Sequence, residues 1–374
     1  MTAVNILIKP SSSLCNMRCE YCFYCDEARK RTIRSFGMMS ENTLKNVIRK
    51  TILKADRFIN YAFQGGEPTL CGIPFFEKVL AFQRQYNKKK IEVHNSIQTN
   101  GYTIDEKWCR FFKENNFLVG VSIDGIPEVH NRWRHGADGK DTYYRIEHSL
   151  ELLRAYGVEF NILTVVTPEI VKNVKDIYSH YKEKGWRYQQ YIPCLDPLGE
   201  EHGKNKYALK PEEYGEFLVK LFQLWYTDLN YGRQPYIREF DNYIAMAAGY
   251  RSESCSQCGK CSVQTVVEAD GSVYPCDFYV LDKFYLGNLN TNQLEEIYRE
   301  PSVRQFVEES LKITSECKKC RFYNLCRGGC HRNRDWNAEK GIYENYFCKS
   351  YKIFFEKNYD TLLNIGAYLK KNGV

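Results

Sequence analysis

The feature that most restricts the fold of this chain is a regular alternation of strand-like and helix-like segments over its first two thirds. Six segments rich in β-branched or aromatic residues alternate with segments of helical periodicity. Among the helical segments are SENTLKNVIRKTILKA, for which we predict Ser40 as the N-cap, and EIVKNVKDIYSHYKEKG over 169–185. The strand-like segments are VNILIK, YAFQ, IEVHNSIQTN, FLVGVSID, VEFNILTVV and RYQQYIP. Repeated βα units predict a parallel sheet with crossover helices, and six units are too few for a closed eight-stranded barrel. We therefore predict an α/β fold built on an open or partial barrel.

The remainder of the chain has a different character, which predicts a second domain. A helical segment, PEEYGEFLVKLFQLWYTDLN, follows the alternation, and nine of the sixteen cysteines lie beyond about Arg238. We predict a barrel domain over residues 1–235 and a cysteine-rich domain over residues 236–374. Because bound metal can organise a domain in place of a large core, we expect little regular structure there.

The composition excludes several classes of protein. The net charge of +7 is spread along 374 residues, which predicts a solvated surface rather than a nucleic-acid-binding one. No stretch approaches the ~18 consecutive apolar residues of a transmembrane helix, and the N-terminus lacks the pattern of a signal peptide. We therefore expect a cytoplasmic protein without a membrane partner. In that compartment, sixteen cysteines indicate metal ligation rather than disulfides.

Three cysteines follow the first predicted strand, in the stretch SSSLCNMRCEYCFY. Cys15, Cys19 and Cys22 have the spacing C-x3-C-x2-C. Three thiolates in one short loop can hold three irons of a [4Fe–4S] cluster and leave the fourth iron open for chemistry. The alternative is a closed zinc site that recruits Cys25 as its fourth ligand.

Polar and small residues also follow the other predicted strands. Sites in parallel sheets of this kind lie at the carboxyl ends of the strands. The residues that fall there are Gly65, Gly66 and Glu67 in FQGGEP, Gln98 and Asn100, Ser122 and Asp124, and Cys194 and Leu195.

The cysteine loop and the GGEP motif, in this order, resemble those of the radical S-adenosylmethionine (SAM) superfamily. The resemblance implies that SAM chelates the open iron and is cleaved to a 5′-deoxyadenosyl radical, which abstracts a hydrogen atom from the substrate. It also implies a partial (β/α)6 barrel. The implied SAM contacts are Tyr21, Gly66, Ser122, Arg134 and Leu195, with Tyr24, Gln64 and Asp124 nearby. An arginine suits a carboxylate clamp, although a lone arginine in a stretch such as NRWRHG is more often a surface residue.

The C-terminal cysteines permit two interpretations. Their C-x2-C pairs are common in zinc ribbons, whereas nine cysteines also suffice for two four-thiolate clusters with one to spare. The pattern resembles the SPASM extension of radical SAM enzymes, a cysteine-rich domain with two auxiliary [4Fe–4S] clusters. The resemblance implies one cluster on Cys255, Cys261, Cys276 and Cys330, and another on Cys317, Cys320, Cys326 and Cys348, leaving Cys258 spare.

Over essentially its whole length the chain resembles anaerobic sulfatase-maturating enzymes, through LIKPSSSLCNMRCEYCFY, AFQGGEPTL, SIQTNG, CLDP and DGSVYPCDFYVLDK. The resemblance implies oxidation of a Ser or Cys in a sulfatase polypeptide to Cα-formylglycine. Asp277 would be the base, and the cofactors would be three [4Fe–4S] clusters and SAM. The implied electron donor is a flavodoxin or ferredoxin. Taken without the resemblance, Asp277 would be a turn or salt-bridge residue.

Two other functions remain open at this point. One is a different SPASM enzyme that forms thioethers or other cross-links in a ribosomal peptide. The other is a zinc-binding module without catalysis. The residues PCDFY around Asp277 favour the sulfatase maturase over the first, and the six βα units ending in GGEP and SIDG argue against the second.

Overall fold

The predicted alternation of strands and helices is present in the computed structural model, which describes residues 3–372. The strands are β1 Ala3–Ile8, β2 Phe58–Phe63, β3 Glu92–Thr99, β4 Phe117–Ser122, β5 Phe160–Val166, β6 Tyr188–Pro193, β7 Tyr236–Ile237, β8 Val266–Val267, β9 Ser272–Tyr274, β10 Gly287–Asn288, β11 Arg334–Asn337 and β12 Ile342–Asn345.

Helices follow most of the long strands. They are α1 Phe23–Arg29, α2 Glu41–Ile52, α3 Gly72–Tyr86, α4 Glu106–Glu114, α5 Pro127–Trp133, α6 Tyr143–Ala155, α7 Pro168–Lys172, α8 Val174–Glu183, α9 Pro211–Leu229, α10 Arg238–Ala247, α11 Leu294–Arg299, α12 Pro301–Glu309, α13 Ser315–Lys319, α14 Tyr323–Cys326 and α15 Cys348–Asn372.

The chain forms two compact units that are interleaved along the sequence. The first unit contains the chain up to Ile123 together with 130–161 and 263–304. The second contains 124–129, 162–262 and the chain from Gln305 onward. The boundary at residue 235 remains a prediction about sequence domains, since these units are defined by packing.

The first unit is built on a sheet whose strands lie in the order β10-β9-β8-β1-β2-β3-β4. Strands β1 to β4 are parallel, and β8 adds in parallel to β1 with Leu7 opposite Val266. The carboxyl ends of β1 to β4 therefore meet at one edge, as predicted. Behind the sheet, aromatic side chains form a core in which Phe76 contacts Phe63, Trp108 and Phe117.

Local sequence explains where the helices of this unit begin. The Ser40 side chain accepts a hydrogen bond from the Thr43 amide at the start of α2, as its predicted capping role requires. Asp105 caps α4 in the same way through the Trp108 amide. These caps satisfy amides that the first helical turn leaves without partners.

In the second unit, β5, β6 and β7 run parallel, and β11 and β12 form an antiparallel hairpin. The long helix α15 packs along α9. Phe222 of α9 meets Phe354 with ring centroids 5.7 Å apart, and both rings are buried. Burial of such an apolar helix face is the main stabilising contribution to a helix of this length.

Two expectations about regular structure are wrong. The helix predicted over 169–185 is interrupted at Asn173, whose side-chain amide donates to the Glu169 carbonyl at 2.8 Å and competes with the helical pattern. The cysteine-rich region also has more regular structure than expected, because α15 alone spans 25 residues. Its buried residues, including Phe354, Phe355 and Leu362, supply an apolar core to this region.

Candidate active site and cluster sites

The predicted cysteine loop connects β1 to α1 and presents its thiols to N–H donors. The Met17 amide lies 3.4 Å from Sγ of Cys15, and the Asn100 side-chain nitrogen lies 3.6 Å from the same sulfur. Nη1 of Arg134 lies 3.9 Å from Sγ of Cys19. Donors of this kind stabilise thiolates, the form of cysteine that binds metal. The loop therefore fits an iron–sulfur cluster.

Cys25 contacts this loop through Cys22. A hydrogen bond from the Cys25 thiol lowers the pKa of Cys22 to about 6, aided by the backbone amides of Cys25 and Tyr24 and opposed by burial. These contacts favour the thiolate form of Cys22, with the Cys25 thiol as a donor. That Cys25 is not a fourth ligand stays a prediction.

The GGEP motif packs directly on the cysteine loop. Gly66 has φ +56°, and a Cβ added there would lie 2.3 Å from the Leu14 carbonyl oxygen. The Glu67 amide donates to that same carbonyl at 2.8 Å. Only glycine allows so close an approach at this conformation. The motif thus holds the cysteine loop against the end of β2.

Glu67 joins the ends of neighbouring strands. Its Oε1 accepts from the hydroxyls of Thr69 and Thr99 at 2.6 and 2.7 Å, and its Oε2 accepts from the Asn100 amide at 2.7 Å. The carboxyl is buried, and burial raises its pKa. Its hydrogen bonds identify Glu67 as a structural residue that orders the strand ends.

The other predicted SAM contacts are divided between the two units. In the first, the Arg134 guanidinium lies 5.4 Å from the Tyr21 ring centroid, and both residues are buried. Arg134 is therefore not the surface residue of the alternative interpretation. Also in the first unit, Gln98 donates to the Ser122 hydroxyl at 3.1 Å. Leu195 is half-buried in the second unit, just after β6.

Asp277 is buried in the first unit and receives two hydrogen bonds on a single oxygen. The Tyr24 hydroxyl and the Gln64 amide nitrogen each lie 2.7 Å from Oδ2, and Gln64 also donates to Tyr24 at 2.8 Å. Oδ1 is buried and has no hydrogen-bond partner among residues 3–372. Burial raises the pKa of Asp277, while Lys9, Tyr24 and Gln64 act in the opposite direction. Tyr24 and Gln64 therefore bind Asp277 through hydrogen bonds, and contact of either residue with SAM stays a prediction.

A buried cluster of charges that the sequence pattern did not predict lies beside Asp277. The ammonium of Lys9 is 3.1 Å from Glu268 and 4.9 Å from the Tyr24 ring centroid, and Arg31 is 2.6 Å from Glu268. Although burial acts the other way, Lys9 and Arg31 lower the pKa of Glu268 to about 2.

Glu27 completes this cluster with 3.9 Å between its Oε2 and the Lys9 ammonium, and burial raises its pKa to about 8. One available signal was the lysine that ends the buried strand segment VNILIK, because an unpaired charge at such a position is costly.

The second unit brings three cysteines of the first predicted auxiliary set together. Cys255 interacts electrostatically with Cys330, and Cys261 interacts with both. Cys276, the fourth of the set, belongs to the first unit. The spare cysteine of the prediction, Cys258, directs its thiol to the Ser254 carbonyl at 3.4 Å.

The second auxiliary set lines a cavity of about 540 Å³ in the second unit. Its cysteines are Cys317, Cys320, Cys326 and Cys348. Four thiols around one cavity form the donor set that a [4Fe–4S] cluster requires. The residues present therefore fit the predicted cofactor.

Comparison with known proteins identifies the family. Residues 10–180 match the radical SAM superfamily, and residues 255–321 match the SPASM iron–sulfur cluster-binding domain. A cysteine-type anaerobic sulfatase-maturating enzyme from Clostridium perfringens is 45% identical over 370 residues, covering 99% of this chain and 100% of the relative. This chain belongs to the anaerobic sulfatase-maturating enzyme family. A serine-type enzyme from Bacteroides thetaiotaomicron is 30% identical, covering 94% of this chain and 88% of that relative.

A solved structure supports the same family. Native anSMEcpe with bound AdoMet and Cp18Cys peptide matches with a TM-score of 0.94 and 44% identity, covering 98% of this chain and 100% of that one. The predicted fold class is confirmed: a partial (β/α)6 radical SAM barrel with a SPASM-type auxiliary-cluster domain. The chain is a radical SAM enzyme whose cofactors are SAM and three [4Fe–4S] clusters, as predicted. Within residues 3–372, no helix has the length and apolar character needed to cross a bilayer.

Proposed function

We propose that this sulfatase-maturating enzyme oxidises a cysteine side chain in a sulfatase polypeptide to Cα-formylglycine. Cysteine is proposed over serine because identity is 45% to the cysteine-type relative and 30% to the serine-type one. A peptide substrate is supported by the Cp18Cys peptide bound in anSMEcpe. The proposed electron donor is a flavodoxin or ferredoxin, and the proposed compartment is the reducing cytoplasm.

The assignment of Asp277 as the base rests on one observation. Both donors to the carboxylate, Tyr24 and Gln64, bind Oδ2, and the buried Oδ1 has no partner in the part of the chain that the structure describes. A carboxylate held at one oxygen and free at the other can accept a proton from a substrate thiol. The raised pKa strengthens it as a base.

The chemistry can be divided between the cofactors and the chain. When bound, the cofactors supply a 5′-deoxyadenosyl radical that takes a Cβ hydrogen atom and a metal centre that accepts the remaining electron. Asp277 accepts the thiol proton at Oδ1, while Tyr24 and Gln64 stabilise its charge and fix its orientation. Water then replaces sulfur as the thioaldehyde becomes the aldehyde, releasing hydrogen sulfide.

We propose the following ligands and contacts. Cys15, Cys19 and Cys22 hold the cluster that binds SAM. Cys255, Cys261, Cys276 and Cys330 hold one auxiliary cluster, and Cys317, Cys320, Cys326 and Cys348 hold the other. SAM contacts Tyr21, Gly66, Ser122, Arg134 and Leu195, with Tyr24 and Gln64 as nearby candidates. Support comes from the N–H donors at the N-terminal thiols and from the cysteine-lined cavity.

The test incubates reduced protein anaerobically with SAM and two sulfatase peptides that differ only in Cys or Ser at the target position. Mass spectrometry should show a loss of about 18 Da from the Cys peptide, faster than the loss of about 2 Da from the Ser peptide, as expected for replacing CH2SH or CH2OH by CHO. A cross-link, or no change in either peptide, contradicts formylglycine formation. Faster oxidation of the Ser peptide contradicts the cysteine preference alone.

A further inference from the structure

Arg334, the first residue of β11, is a buried cation whose hydrogen bonds go to backbone carbonyls. Its Nε donates to Gly328 at 3.1 Å, its Nη1 to Ser310 at 2.7 Å and its Nη2 to Gly329 at 2.6 Å. The residue is only 8% exposed. Carbonyl dipoles satisfy the donors but do not neutralise the charge, so its field extends into the surrounding protein.

These hydrogen bonds lead to the segments that carry both auxiliary cysteine sets. Gly328 and Gly329 lie between Cys326 of one set and Cys330 of the other. The Ser310 hydroxyl accepts from the Cys261 amide at 2.9 Å. Arg334 is thus hydrogen-bonded to the backbone that positions thiols of both proposed clusters within the second unit.

The guanidinium is also close to the thiols themselves. A Cβ added at Gly328 would lie 3.4 Å from Nη2 of Arg334 and 3.5 Å from Sγ of Cys317. Both atoms therefore border the same small space beside Gly328. For the other set, the Gly329 carbonyl that accepts from Nη2 of Arg334 directly precedes Cys330. The Ser310 carbonyl that accepts from Nη1 belongs to the residue whose hydroxyl binds the Cys261 amide. The charge therefore lies next to the thiol-bearing segments of both sets.

We propose that the charge of Arg334 raises the reduction potentials of both auxiliary clusters and so prepares them to accept an electron. An electron added to a thiolate-bound cluster increases its negative charge, which a nearby buried cation stabilises. This inference rests on the cluster ligands given under Proposed function. It makes Arg334 a tuning residue, since it need not touch substrate or SAM.

The test compares Arg334→Gln with Arg334→Lys in the cluster-loaded full chain. Both substitutions shorten the side chain and remove part of its hydrogen bonding, but only lysine keeps the positive charge. Arg327→Gln is the matched control, because Arg327 directly follows Cys326 yet is exposed, where water screens its charge. Anaerobic redox titration followed by electron paramagnetic resonance gives the potentials, and adding or withholding SAM identifies the N-terminal cluster.

Arg334→Gln should make both auxiliary clusters about tenfold harder to reduce, a shift of about 59 mV to lower potential. Arg334→Lys and Arg327→Gln should shift much less, and the N-terminal cluster should be unchanged in all three. Equal shifts in the Gln and Lys variants, or equal loss of iron from both, would assign Arg334 a structural role and overturn the proposal. So would unchanged potentials in Arg334→Gln. Wild-type protein without auxiliary clusters would instead refute the ligand assignment.

Discussion

Tyr24 donates a 2.7 Å hydrogen bond to Asp277 across 253 positions of sequence. Tyr24 belongs to α1, directly after the cysteine loop, and Asp277 directly follows Cys276. The bond thereby fixes the carboxylate relative to the loop that is proposed to hold the SAM-binding cluster. It also occupies Oδ2, which leaves Oδ1 without a partner among the described residues and makes it the proposed proton acceptor.

Replacing Asp277 with Asn should lower peptide oxidation by about 100-fold or more, because an amide cannot accept the substrate proton. Iron content and SAM cleavage should remain, since the side chain is nearly isosteric. Mass spectrometry of the peptide, together with quantification of 5′-deoxyadenosine, checks both expectations. Undiminished peptide oxidation would remove Asp277 as the base.

Replacing Tyr24 with Phe should slow oxidation by roughly tenfold, because a hydrogen bond to a charged group is worth about 1.5–3 kcal/mol. The effect should appear in kcat, since the hydroxyl orients Asp277. Tyr144→Phe is the control, as Tyr144 is 68% exposed. Equal rates in both variants would mean that Gln64 alone orients the carboxylate.

Gly66→Ala should prevent the cysteine loop from packing on the end of β2. The new Cβ would collide with the Leu14 carbonyl at 2.3 Å, and we expect about four irons per chain to be lost, the content of one cluster. Gly37→Ala is a matched control, because Gly37 also has positive φ but open space around it. Iron and sulfide analysis distinguishes the variants, and full iron content in Gly66→Ala would contradict the expectation.

Lys9→Met should destabilise the protein by about 3–5 kcal/mol, the usual cost of removing one partner from a buried ion pair. Glu268 and Glu27 would lose their nearest ammonium, although Arg31 would still neutralise Glu268. Anaerobic thermal denaturation should show a clearly lower Tm. In Lys78→Met, which breaks an exposed pair with Glu41, Tm should hardly move. Similar Tm changes in the two variants would contradict the expectation that breaking the buried ion pair lowers stability more than breaking the exposed one.

His202 should make stability depend on pH. Its ring nitrogens contact Asp196 at 3.3 Å and Asp335 at 3.0 Å, the ring stacks on Tyr346, and the two carboxylates outweigh burial and raise its pKa. A raised pKa means that protonation favours the folded state. The stabilisation is therefore complete below about pH 6.5, the unfolded value, and is lost as pH rises through the folded pKa.

The Tm of wild type should therefore exceed that of His202→Gln at pH 6, and this Tm difference should shrink as the pH rises toward alkaline values. His94→Gln serves as the control, since the His94 side chain is 60% exposed and faces an exposed Glu92. A Tm difference between wild type and His202→Gln that is constant with pH would show that the ring acts through packing alone.

Much of the barrel could be predicted because its signals are local. Strand alternation, the Ser40 cap and the glycines of GGEP depend on neighbouring residues, so sequence shows them directly. The pairing of β8 with β1 could not be predicted in this way. Val266 and Val267 form a two-residue strand whose only signal is the partner it finds far away in sequence.

The candidate site could likewise be predicted only where its signals are local in sequence. Cysteine spacing and the residue after Cys276 mark the proposed ligands and base. The charges that surround them, Lys9 with Glu268 and Arg334 with its carbonyl partners, carry no spacing pattern. A buried charge is recognisable only once the fold shows what it is buried against.

The pairing of β8 with β1 also affects how the chain folds while it is being synthesised. On the ribosome, Leu7 cannot pair until Val266 has been synthesised. At about 5–20 residues per second, synthesis of the intervening chain takes more than about ten seconds. During that interval β1 is an unprotected edge that can recruit strands from other chains. The segment that covers this edge also contains Asp277, eleven positions after Val266. A nascent chain therefore covers the β1 edge and gains the Asp277 carboxylate at nearly the same stage of synthesis.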